Sequence, residues 1–144
     1  MFEPTTLDVR GSLRRKMSVA FSQRFLTHHQ EEFERVLDMR LPWVPDQESL
    51  LNQAAAVAGF DVLDRLRGLF APTLIVAGTD DRVVPYENSL ILHSHIGPSA
   101  LHLFRGAGHL VHIECYKAFN SLVGRFVREV EAGSFMRREA EEDC

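Results

Sequence analysis

Pro72-Thr73-Leu74-Ile75-Val76-Ala77-Gly78-Thr79-Asp80-Asp81-Arg82-Val83-Val84-Pro85 decides how the rest of the 144-residue chain is to be read. Leu74 to Ala77 is a continuous apolar run between Pro72 and Gly78, the pattern of a strand buried on both faces. Asp80 and Asp81 follow in a turn. A second stretch, Gly106-Ala107-Gly108-His109, is a glycine-rich turn that ends in a histidine. Its glycines let the backbone bend sharply before His109. Between the two, the spacing predicts a helix from about Tyr86 to His95. Pro85 stands at its start, and Leu90, Ile91 and Ile96 face inward. After the Gly97-Pro98 turn, Leu101-His102-Leu103-Phe104 reads as a second strand. A strand-helix-strand order predicts a right-handed crossover and a parallel pair. The Asp81 and His109 turns then lie at the same end of a sheet, where an acid and a histidine can form the Asp-His half of a charge-paired catalytic site.

The residues from Pro72 to Val127 resemble the C-terminal end of the α/β-hydrolase fold. In that family a P-T-L-hydrophobic-hydrophobic-x-G strand is followed by G-x-x-D-x-x-x-P, whose Asp is the triad acid. Here that turn is Gly78-Thr79-Asp80-Asp81-Arg82-Val83-Val84-Pro85, so the resemblance gives Asp81 the role of acid. Asp80 reads as ordinary turn chemistry. A later G-x-G-H turn carries the triad base, which falls on His109. Acid before histidine is the chain order of this family. The expected fold class is therefore α/β: a helical cap, then strand-helix-strand-helix with parallel strands. The expected segments are a cap-like region over residues 1–69, the hydrolase segment over 70–131, and a frayed, charged tail over 132–144.

The cap-like region has its own local signals. Residues 1–10 have no clear period and read as a loose leader. Arg14, Arg15 and Lys16 read as a solvated helix face. Phe21, Phe25, Phe33, Val36, Leu37 and Leu41 recur at helical spacing. Thr27 and Gln30 form a candidate capping box for a second helix, with Glu31 and Glu32 near its dipole-favoured start. Asp46 is a good N-cap for a third helix that stops near Gly59. If this region roofs a site, Phe21, Phe25, Trp43 and Phe60 are candidates for an apolar acyl pocket, against the alternative of ordinary core packing. Downstream, Tyr116 to Val130 reads as an amphipathic closing helix, with Phe119, Leu122, Val123, Phe126 and Val127 on one face.

Composition narrows the function classes. A net charge of −4 argues against a nucleic-acid partner, which calls for a basic face. No apolar run approaches the ~20 residues of a membrane span, and the start lacks a secretory pattern. Cys115 and Cys144 are far apart and form no metal or redox motif, so reduced thiols and a cytoplasmic location are expected. His28 with His29, His93 with His95, and His109 with His112 lack the spacing and further ligands of a zinc site. Neither metal nor cofactor is expected.

One part of the family pattern does not occur. No G-x-S-x-G stands in the sequence, and that turn carries the nucleophile in such hydrolases. The nearest candidate, Ser99 in Gly97-Pro98-Ser99-Ala100-Leu101, lacks the second glycine and precedes a strand. Cys115 sits at the start of the last helix and is no better placed. The resemblance implies that the central strands and the nucleophile would lie before Met1. Two readings follow. One is a serine hydrolase of ester, lactone or related acyl substrates, for which this chain supplies acid and base. The other is a non-catalytic remnant that self-associates as a binding module. Either way the Leu74–Ala77 strand wants covering. The candidates are the missing N-terminal half, a second copy of the chain in a symmetric dimer, or cap helices folded over the edge.

Overall fold

The computed structural model describes residues 6–144, with side chains from Val9 onward. The expectation for residues 1–5 lies outside the described residues. Helix α1 spans Thr6–Ala20, α2 Gln23–His28 and α3 Gln30–Arg40. A 3-10 turn at Leu41–Trp43 leads to α4, Gln47–Ala58, and a second one covers Leu63–Gly68. Then come strand β1 (Thr73–Gly78), α5 (Glu87–His95), β2 (Ser99–Arg105), α6 (Val111–Glu114), α7 (Tyr116–Glu131) and β3 (Arg138–Asp143). Residues 70–130 thus form strand, helix, strand and helices in the expected order. The sheet is parallel throughout, in the order β1-β2-β3, with Thr73 opposite Ser99 and Ala100 opposite Arg138.

Local chemistry explains the helix ends. Asp46 caps α4 by accepting from the Ser49 amide at 2.7 Å, and Gly59 ends that helix. The Thr27–Gln30 capping box does not form. Thr27 Oγ1 donates to the Gln23 carbonyl one turn back, and α3 starts at His29 without a side-chain cap. Ser22 is the cap that does form, on α2. The leader reading fails for residues 6–10, which already belong to α1. Arg10 there pairs with Glu34 (2.6 Å) and Asp38, and Arg14 with Glu34. These partners tie α1 to α3, 20 or more positions away in sequence, which local periodicity does not report.

Three apolar clusters organise the packing. Phe21, Phe25, Phe33, Val36 and Leu37 form the cap core, with Leu110 and Ile113 packed against it. Ile75, Ala77, Ile96, Leu101 and Leu103 fill one face of the sheet. Phe104, Ala107, Val111, Cys115 and Leu122 fill the other, beneath α7. Ile96 is buried as expected, but Leu90 and Ile91 on α5 are exposed. Among the described residues β1 has a partner on one edge only.

Two expectations about the chain's end are corrected. Residues 132–144 are not a frayed tail, since Arg138–Asp143 pairs with β2 as β3. Its inward positions are Arg138, Ala140 and Glu142, so the period of two is present without the apolar residues that reveal it. Ion pairs hold it: Arg105 Nε to Asp143 at 2.8 Å and Arg138 to Glu129 at 2.6 Å. Arg137 clamps the turn before it by donating to the His93, Ile96 and Gly97 carbonyls. The cysteines are not free thiols. Cys115 and Cys144 form a disulfide that brings α7's start to the end of β3, their Cα atoms 5.3 Å apart. Twenty-nine positions separate them in sequence, and the folding of β3 closes that gap. The bond removes the support that free thiols offered for a cytoplasmic location, because reducing compartments keep such pairs open. No helix among the described residues is long and apolar enough to cross a membrane.

His102 lies between these layers, 5% exposed and against the Phe104 ring. Its Nε2 is 3.4 Å from Glu142 Oε1 but makes no aligned hydrogen bond. Burial pushes its pKa down, Arg125 and Arg138 add to that, and Glu142 opposes it. Burial also lowers His93, with Arg137 adding and Glu139 opposing. Both are therefore favoured neutral in the fold, and the unfolded chain binds more protons. Stability is full above the ordinary histidine value of about 6.5 and is lost as pH falls through the lowered folded values. Urea melts at pH 7.5 and pH 5.5 should show a lower midpoint at the acid value. In His102→Leu that difference should shrink, with the His93 share remaining.

Candidate active site

Asp81 and His109 reach each other through backbone contacts between their turns. β1 ends at Gly78 beside Ala107 and Gly108, and a Cβ at Gly78 would overlap the carbonyl oxygens of both. The absence of a side chain there lets the turns touch. The Thr79 amide donates to the Phe104 carbonyl at 3.0 Å and the Asp80 amide to the Ala107 carbonyl at 2.9 Å. Thr79 Oγ1 accepts from the Gly106 amide at 2.9 Å. Gly106 has φ +72°, in the left-handed region that suits glycine. This bend turns the chain back across the end of β1.

The side chains then meet. His109 Nδ1 lies 2.8 Å from Asp81 Oδ2, within the about 2.6–3.2 Å of a working hydrogen bond. An ionised carboxylate only accepts, so Nδ1 carries the hydrogen. The other oxygen, Oδ1, accepts from the Val83 and Val84 amides at 2.8 and 2.9 Å. Asp81 is thus fixed by its own loop, with a side chain 7% exposed, while His109 is 39% exposed. With Nδ1 turned to Asp81, Nε2 faces away from the acid and is the atom able to exchange a proton with a reactant. A shallow groove lined by Ser22, Gln23, Thr79, Asp80, Asp81 and Arg82 runs beside the acid turn.

Other candidates fall elsewhere. Phe21 and Phe25 are core residues of the cap, whereas Trp43 and Phe60 are 79% and 71% exposed, so the four line no common pocket. Ser99 is buried under α5, its hydroxyl donating to the Ile96 carbonyl at 2.6 Å. Cys115 is in the disulfide. Ser22 lines the groove, but its hydroxyl donates to Glu114 and caps α2. No serine hydroxyl hydrogen-bonds to His109 among the described residues. No group of three or more His, Cys, Asp or Glu among the described residues could hold a metal ion.

Sequence reasoning passed over three residues of the site. Arg82, next to the acid, donates to the Ser18 and Phe21 carbonyls at 2.9 and 2.8 Å. Glu114 accepts from the Gly108 amide at 3.0 Å and the Ser22 amide at 2.8 Å. Ser22 itself is the third. The Ser22–Glu114 contact spans 92 positions, and no spacing rule reaches that far.

A parallel sheet that brings an acid turn and a histidine turn together at one end, beneath a helical cap, defines an α/β protein of the hydrolase class. A family model for the alpha/beta hydrolase fold matches residues 5–115, and the chain belongs to that family. It is 47% identical over 62 residues to a 2-hydroxy-6-oxo-2,4-heptadienoate hydrolase of Pseudomonas putida, a stretch covering 43% of this chain and 22% of that protein. It is 38% identical over 69 residues to a 2-hydroxymuconate semialdehyde hydrolase of Pseudomonas sp., covering 48% and 24%. Among solved structures, a variant of the meta-cleavage product hydrolase CumD superposes with a TM-score of 0.66 at 26% identity, over 89% of this chain and 47% of that one. An N-acyl homoserine lactone degrading enzyme gives 0.66 and 26%, over 87% and 52%. The chain spans about half the length of these solved relatives.

The contact at Gly78 generates a test. Gly78→Ala places a methyl group against two backbone carbonyls, which can yield only by parting the turns. Overpacking of this kind costs about 1–3 kcal/mol or more. Chemical denaturation should show at least that loss. Gly68→Ala, where a Cβ meets open space, should stay within about 0.5 kcal/mol of wild type.

Proposed function

We propose that the chain is the cap and acid–base part of a serine hydrolase acting on an ester, lactone or related acyl substrate. The Asp81–His109 hydrogen bond at 2.8 Å is the observation that carries this reading. In the proposed reaction a serine supplied from outside these 144 residues gives its hydroxyl proton to His109 Nε2 as its oxygen attacks the substrate carbonyl. Asp81 holds the imidazole in the Nδ1–H tautomer and stabilises the imidazolium. His109 then returns the proton to the leaving group, and water, activated in the same way, releases the acyl group. The names of two relatives support carbonyl chemistry, since one describes hydrolysis of an oxo compound and the other of a semialdehyde. No cofactor takes part in this scheme.

The missing partner is a segment bearing the central strands, the nucleophile turn and the oxyanion amides. The open edge of β1 is where its strand would pair, in keeping with a chain that covers 47–52% of its solved relatives. That same edge favours the second reading, a self-associating module without catalysis. There a second copy would extend the sheet across β1 as a homodimer, and the exposed Trp43, Phe60 and Phe70 would add apolar area.

Activity separates the two readings. The isolated 144-residue chain should show no esterase turnover above background and no labelling by a serine-reactive fluorophosphonate. Adding a polypeptide that carries the N-terminal half of a related hydrolase should restore both. His109→Ala should then reduce kcat by about 10⁴–10⁶-fold and Asp81→Asn by less. Serine labelling in the isolated chain, or restored turnover indifferent to His109→Ala, would refute the assignment. A stable dimer that excludes the added half would favour the module.

A further inference from the structure

The backbone on both sides of His109 is anchored to the same place. On one side the Gly108 amide donates to Glu114 Oε1 at 3.0 Å. On the other the Leu110 amide donates to the Ala20 carbonyl at 3.2 Å. Ala20 ends α1, and Ser22 begins the cap of α2. Glu114 also belongs to this elbow. Its Oε1 accepts from the Ser22 amide at 2.8 Å and its Oε2 from the Ser22 hydroxyl at 2.5 Å. Ser22 Oγ in turn accepts from the Phe25 amide at 3.1 Å. One carboxylate therefore serves three donors, from the histidine turn and from the cap elbow. Bonds to an ionised acceptor are the stronger kind.

Packing leaves little slack in this arrangement. A Cβ on Gly108 would lie 2.7 Å from the Ser22 amide nitrogen and 2.8 Å from Glu114 Oε1. The histidine turn thus lies directly on the elbow. The acid turn is tied to it as well, since Arg82 donates to the Ser18 and Phe21 carbonyls at 2.9 and 2.8 Å. The Asp81–His109 bond fixes the ring only if the His109 main chain is fixed, and the elbow contacts supply that.

We infer that Glu114 is a positioning residue for His109, coupling the seating of the cap elbow to the placement of the base. The inference rests on the reading of His109 as the base. Its consequence is that a ligand moving the α1–α2 elbow moves His109 through the Glu114 carboxylate. An amide at position 114 keeps an oxygen for the Gly108 and Ser22 amides. Alanine keeps nothing.

The test uses the intact chain and needs no turnover, so its outcome is separate from that of the activity assay. Imidazole nitrogen NMR at a pH where the ring is neutral reads the His109 tautomer. Amide exchange reads Gly108 and Ser22. Wild type and Glu114→Gln should hold the Nδ1–H tautomer. Glu114→Ala should mix the tautomers and speed Gly108 and Ser22 exchange by about tenfold or more. Ile96→Val, a core loss in the layer below α5, should lower stability without touching either readout. If Glu114→Ala does not fold, Glu114→Asp, one methylene short of the three donors, takes its place with the same expectation. The inference is overturned if the variant keeps the wild-type tautomer and exchange, if Ile96→Val shifts them as much, or if wild type itself holds no single tautomer.

Discussion

The backbone of Gly78 lies against that of Ala107 and Gly108, and the rest of the site depends on that contact. A parallel strand pair fixes which ends of two strands are neighbours, but it does not bring two loops together. Here the loops are clasped by main-chain bonds, from Thr79 to Phe104 and from Asp80 to Ala107. The side-chain bond between Asp81 and His109 is the outermost of this series. It joins a carboxylate whose side chain is 7% exposed to an imidazole that is 39% exposed. Its geometry comes from a clasp that orders both residues beforehand, which is how catalytic groups are held near a productive arrangement.

The fold around the clasp is unequal on its two sides. β2 is paired on both edges, and β3 reaches it through arginine clamps, ion pairs and the disulfide instead of an apolar face. β1 is paired on one edge, and α5 above it leaves Leu90 and Ile91 exposed. A strand as apolar as Leu74–Ala77 with an open edge is a template for another strand. Among the described residues β1 and β3 are both edge strands, the first apolar and the second charged. The cap joins the clasp from a third direction. Leu110 and Ile113, just past His109, pack into the cap's aromatic core, so the cap and the histidine turn share one hydrophobic cluster.

Much of this was legible in the residues because the decisive signals are local. Apolar run, acidic turn, helical spacing, second run and glycine-histidine turn follow one another within 38 positions from Pro72 to His109, and each carries its own period or turn chemistry. Asp46 and Gly59 announced α4 in the same way. What escaped was non-local or masked by polarity. β3 has strand alternation, but Arg138 and Glu142 occupy inward positions that apolar residues usually fill. The disulfide partners are brought together only when β3 pairs. Thr27 matched a capping pattern and lost to a competing bond to Gln23, while Ser22 capped α2 unnoticed. Glu114 drew no reading from the sequence, because its partners lie six and 92 positions away.

Residue-resolved hydrogen exchange on the isolated chain bears most directly on the clasp. The account predicts that the Thr79 and Asp80 amides, although they lie beyond the last paired residue of β1, exchange as slowly as those of the β1–β2 ladder. That result would mean the acid and base turns stay joined without any further part of a hydrolase. Free exchange at Thr79 and Asp80, with Leu101 and Leu103 in β2 still protected, would contradict it. The sheet would then form without the clasp, and the Asp81–His109 geometry would need a partner to exist.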